Sequence, residues 1–135
     1  MDENTNLSEL SELSELSDSI LSSVKKLIGI PVEDKSFDLD IMLNINAASS
    51  TLFQLGVLKK PFTVKSKDDT YADLIPGGTE DVVNQIKMYF VYKTRLGFDS
   101  PTLSSTMIEV IKELIREAEY RLQISFNPEG LFENS

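Results

Sequence analysis

Four stretches of this chain place apolar side chains three and four residues apart, a spacing that few folds other than a helical bundle can use. The clearest two lie in the second half. Thr79 suits a helix N-cap, with Glu80 and Asp81 placed to complement the helix dipole. From there Val82, Ile86, Tyr89, Phe90 and Leu96 are expected to face inward. Beyond a break, Ile108, Ile111, Ile115, Ala118 and Leu122 recur at intervals of 3, 4, 3 and 4, and Met107, Val110 and Leu114 widen that stripe. The break itself reads Arg95-Leu96-Gly97-Phe98-Asp99-Ser100-Pro101-Thr102. Gly97 is expected in the left-handed conformation that ends a helix, and Pro101 in the first turn of the next one.

The first half adds two more helices. Leu13, Leu16, Ile20, Val24 and Leu27 share one register, which predicts a helix over 18–28 stopped by Gly29 and Pro31. A second helix is predicted from Phe37 to Leu55, capped by Ser36 or Asp38 and ended by Gly56. Its inward stripe is Ile41, Ile45, Ala48, Leu52 and Leu55, with Asn44 and Asn46 turned away as solvated residues. Residues 57–78 are broken by Pro61, Pro76 and Gly77-Gly78, and the alternation Phe62-Thr63-Val64-Lys65 predicts a short strand or hairpin arm. Tyr71, Leu74 and Ile75 are expected to fold back as a lid on the core. The predicted fold is therefore all-α, a small four-helix domain with a short extended arm or hairpin between helices two and three.

A chain of 135 residues suits one small domain that needs no staples. There is no cysteine and no histidine, which removes disulfides, thiolate chemistry, the commonest general base and the commonest zinc ligands. No serine has a histidine to activate it. Asp38-Leu39-Asp40 lacks the glycine and terminal glutamate of a calcium loop, and Gly77-Gly78-Thr79 lacks the lysine and spacing of a phosphate loop. No enzyme, cofactor or metal site is expected. No apolar run approaches a membrane span, and the acidic start is unlike a signal peptide, so a soluble protein within the cell or virion is expected.

The net charge of −9 is unevenly placed: residues 1–19 hold six acids and no base, while the remainder holds sixteen acids and thirteen bases, a balance of −3. Neither part carries the basic stripe that tight phosphate binding requires. Residues 1–17 are read as an acidic low-complexity arm built on a Leu-Ser-Glu repeat, 18–125 as the helical domain, and 126–135 as a tail. The repeat is either a solvated extension or a docking helix for a neighbouring subunit. The tail keeps Phe126, Leu131 and Phe132 after Pro128 and Gly130 have broken the helical period, which suits either docking on a partner or packing back on its own domain. Lys59, Lys60, Lys65 and Lys67 form the densest basic cluster; ordinary solvation explains most such clusters, and contact with an acidic neighbour or DNA backbone is the sharper reading.

Several stretches, in this order and spacing, resemble a tailed-phage family. They are Ile41-Met42-Leu43-Asn44-Ile45-Asn46-Ala47-Ala48 with Gln54-Leu55-Gly56-Val57, Asp68-Asp69-Thr70-Tyr71-Ala72-Asp73-Leu74, Tyr89-Phe90-Val91-Tyr92-Lys93-Thr94-Arg95-Leu96, and Glu113 to Leu122. The family is the head–tail connector, or adaptor, that forms the ring beneath the portal, and the likeness spans roughly residues 20 to 124. The resemblance implies a structural virion protein made in the host bacterial cytoplasm and placed in the neck. Its implied partners are further copies of itself in a closed ring, commonly of twelve, together with the portal and a stopper or tail-proximal neck protein. Genomic DNA would pass through without sequence-specific binding, and no membrane is involved. The stripes of helices three and four are wider than one partner helix needs, which marks Tyr89, Tyr92, Leu96, Met107, Ile111 and Leu114 as candidates for the subunit interface. The four lysines and Phe126, Leu131 and Phe132 are candidates for partner docking. A reading from a different class is a small acidic helical regulator that acts on a host protein.

Overall fold

The computed structural model describes residues 16–126, and five helices account for most of them. They are α1 (Ile20–Leu27), α2 (Asp38–Gln54), α3 (Tyr71–Leu74), α4 (Glu80–Asp99) and α5 (Ser105–Phe126), with a 3-10 turn at Ser100–Thr102. Helix α4 is the middle of the bundle, with α2 and α5 packed along it and α1 lying across α2 and α4. The fold is all-α, as the spacing predicts. The acidic arm up to residue 15 and the tail beyond Phe126 lie outside the described residues.

The predicted stripes supply most of the core, but Leu27 is 43% exposed, Leu55, Val82 and Leu96 are only half-buried, and α4 buries Val83 in place of Val82. Ile20 and Val24 of α1, Ile41, Ile45, Ala48 and Leu52 of α2, and Val83, Ile86, Tyr89 and Phe90 of α4 are fully buried. Each large apolar side chain among them contributes about 1.5–3 kcal/mol by leaving water. Helix α5 buries only Ile111, Ile115 and Leu122 below a tenth of their surface, so it is the least anchored of the long helices. The lid is present: Tyr71, Leu74 and Ile75 are all buried. Its short α3 is fixed by a capping box, with the Thr70 hydroxyl accepting from Asp73 N–H and the Asp73 carboxylate accepting from Thr70 N–H.

Several local expectations are corrected. Helix α4 runs straight through Gly97, which is not left-handed; the chain turns at Ser100–Thr102, and Ser104 caps α5 by accepting from Met107 N–H at 3.1 Å. Lateral packing explains the glycine, because a Cβ there would collide with the side chain of Asn44 on α2. Helix α2 begins at Asp38 without a side-chain cap, and Asp38 instead pairs with Lys25 at 2.7 Å. Glycines 29 and 56 end α1 and α2 in the left-handed region, as expected.

The strand expected around residues 62–65 does not form, and no strand forms among the described residues; the one β-bridge joins Ser19 and Thr70. Side chains of α2 take the place of a partner strand. Asn46 donates to Val64 O at 3.0 Å and accepts from Val64 N–H at 2.7 Å, while the Ser49 hydroxyl donates to Phe62 O at 2.9 Å. Asn46 is thus half-buried and structural, not turned to solvent.

Candidate functional site

The surfaces that could meet a partner lie on the two outer helices and at the base of the bundle. Helix α2 turns Leu39, Leu43 and Phe53 outward at 69%, 60% and 40% exposure, with Ala47 and Ser50 exposed between them. From Ile41 to Leu58 the chain carries no charged residue, so this outward face is neutral along nearly the whole helix. Solvated helix faces are normally charged, so a neutral one with exposed leucines makes this face a candidate contact surface. At the N-terminal end of this face Phe37 packs edge-on against Phe98 of α4 with ring centroids 5.2 Å apart.

Helix α5 presents a mixed face. Met107 and Val110 are about half exposed, and Tyr120 more so, among the charged Glu109, Lys112, Glu113 and Arg116. Between α4 and α5 runs a shallow cleft of about 240 Å³ lined by Met88, Tyr92, Leu114, Ala118 and the polar Gln85 and Arg121. Of the residues expected at a subunit interface, Met107 is exposed, Tyr92, Leu96 and Leu114 are half-buried, and Tyr89 and Ile111 are taken up by the chain's own core. The Tyr89 hydroxyl donates to the Glu119 carboxylate at 2.7 Å and so ties α4 to α5. Burial, followed by that carboxylate, pushes the Tyr89 phenol well above its ordinary value, so it stays protonated.

The base carries a larger groove of about 810 Å³ between the turn after α2, the turn before α4 and the end of α5. Val57, Leu58, Leu74, Ile75 and Val82 give it apolar walls, Lys59 and Lys60 stand at its rim, and Ser125 and Phe126 close one side. The four lysines therefore divide. Lys65 and Lys67 are exposed on the next loop beside Asp68 and Asp69, whose Oδ2 accepts from Lys65 N–H at 2.7 Å. Leu131 and Phe132 lie outside the described residues, and Phe126 is 39% exposed.

Charged groups buried in the fold are structural. Lys25, at 2% exposure, donates to Val32 O at 2.9 Å and Asp34 O at 2.7 Å and pairs with Asp38, which joins α1, the following loop and α2. Lys87 pairs with Asp18 at 3.3 Å and lies over the Tyr71 ring. Among the described residues no three potential metal ligands of the His, Cys, Asp or Glu type come together, and no helix is long and apolar enough to cross a membrane.

Neither curated proteins nor solved structures gave a match to the chain. The sequence profile of the family described as phage connector protein matches residues 20–129, which takes in all five helices, and the chain belongs to that family of head–tail connector proteins.

Proposed function

We propose that copies of this connector close into a ring in the neck of the virion, between the portal and a stopper or tail-proximal protein, with the genome passing through the middle. The observation that carries this reading is the pair of uncovered surfaces on the two outer helices, the neutral face of α2 and the Met107, Val110 and Leu114 side of α5. Two different faces that pair between successive copies form a head-to-tail contact, and such contacts close into a ring when the rotation allows it. The resemblance to connectors implies twelve copies. The near balance of charge in residues 20–135, −3 per copy, supports a channel wall past which DNA slides without sticking.

The test is made at positions whose side chains the monomer does not need. Leu43→Asp and Val110→Asp alter residues that are 60% and 48% exposed, so the purified variants should keep the wild-type circular dichroism. Phage carrying either substitution should accumulate DNA-containing heads without tails. Ile111→Asp is unsuitable, because Ile111 is 5% exposed and the charge would unfold the domain. Normal yields of infectious particles from both exposed variants would move the ring interface elsewhere.

A further inference from the structure

We propose that the groove at the base of the bundle holds the segment of this same chain that follows Phe126, with Leu131 and Phe132 seated between the turn after α2 and the turn before α4. The inference is independent of the ring. From sequence the tail has two possible homes, a partner or its own domain, and the groove supplies a reason to choose the second.

The first argument is placement. Helix α5 ends at Phe126, and Ser125 and Phe126 are themselves part of the groove wall, so the chain is delivered into it. Leu131 follows Phe126 by five residues. Five extended residues reach at most about 17 Å, which keeps Leu131 near the end of α5 that forms one side of the groove.

The second argument is chemistry. The walls are apolar, and the segment offers two adjacent apolar side chains. Glu129 and Glu133 flank that pair, while Lys59 and Lys60 stand at the rim, so the charges match those of an acidic, apolar-centred peptide. At about 810 Å³ the groove lies within the range of specific binding pockets.

The third argument is competition. A segment tethered at the edge of the groove has an effective concentration in the millimolar range, which a segment of another molecule does not match in dilute solution. Docking also answers a structural need, since α5 buries few residues of its own and a strap at its end would fasten it to the loops beneath.

The experiment uses the full chain. Equal amounts of isotopically heavy and light protein are mixed and treated with a carbodiimide, which joins a lysine to a carboxylate in direct contact. Links from Lys59 or Lys60 to Glu129 or Glu133 are expected within light or within heavy chains only. Leu131→Asp with Phe132→Asp should abolish the links and make the amides of Val57, Ile75 and Gly78 exchange with deuterium several-fold faster, with the helical circular dichroism unchanged. Charge reversal gives a second route: Lys59→Glu with Lys60→Glu should speed exchange at the same amides, and Glu129→Lys with Glu133→Lys added should restore it. Links between heavy and light chains would assign the groove to a second copy and overturn the proposal. Absence of links together with unchanged exchange in the aspartate variant would show that the segment does not occupy the groove.

Discussion

Gly97 lies where α4 passes α2, and its missing Cβ leaves room for the Asn44 carboxamide. A Cβ added there would stand 2.9 Å from Asn44 Cγ and 3.3 Å from its Nδ2, while that nitrogen already donates to Asp40 O at 2.9 Å. Two effects oppose each other in Gly97→Ala. Gly97 lies in the last turn of α4, so alanine gains less than the roughly 1 kcal/mol of helix propensity it gains in mid-helix, and crowding a packed contact costs about 1–3 kcal/mol. The crowding should win, because Asn44 is short and must give up its own hydrogen bond to move. Urea unfolding should therefore show Gly97→Ala destabilised, and Asn44→Ala close to wild type. With the obstruction removed, the double variant should be more stable than Gly97→Ala alone. A single Gly97→Ala variant more stable than wild type would show that the close approach constrains nothing. A glycine in a sequence announces an absent side chain but not whether the backbone or a neighbour requires the absence, which is why the end of α4 was misplaced in the sequence reading.

The elements were legible to the degree that their reasons were local. Period, left-handed glycines and the Thr79 cap set the long helices to within a few residues. The short α3 carries its own signal, Thr70 three residues before Asp73, a capping pattern that could have been read in advance. The alternation at 62–65 announces a strand but not how the segment is held, because its hydrogen-bond partners come from a helix 18 residues away and not from a second strand. Asn46 and Ser49 sit three apart on α2 and look like any solvated pair until the loop is laid against them. Asn46→Ala removes a donor and an acceptor from one backbone position and leaves both Val64 groups to find water. The expected cost is about 1–3 kcal/mol in unfolding free energy, with faster amide exchange concentrated at Val64. Unchanged exchange there would mean that the Ser49 bond to Phe62 O and the packing of Phe62 and Val64 hold the loop without Asn46.

At the scale of the molecule, the sequence marks wide apolar stripes without saying what covers each residue. Tyr89 and Ile111 carry the same periodic signal as their neighbours, and periodicity alone does not distinguish a position covered by the chain itself from one covered by another copy. The outward face of α2 was missed for the converse reason: Leu39, Leu43 and Phe53 lie off the inward stripe, and the informative signal was the absence of charge from Ile41 to Leu58. The charge distribution makes a prediction about the whole protein. With a net charge of −9 and its four clustered lysines divided between a groove rim and an acid-containing loop, the purified protein should show negligible binding to duplex DNA at about 0.15 M salt. A submicromolar dissociation constant in a fluorescence anisotropy titration would overturn the account of the channel wall and direct attention to Lys59, Lys60, Lys65 and Lys67.

The uncharged run of α2 also has a thermodynamic consequence. Contacts made through such a face release water from apolar groups instead of exchanging ions, so their formation lowers the heat capacity and draws its driving force near room temperature from solvent entropy. In the proposed ring, subunits joined in this way would hold together more firmly as they are warmed from the cold, and added salt would do little to loosen them.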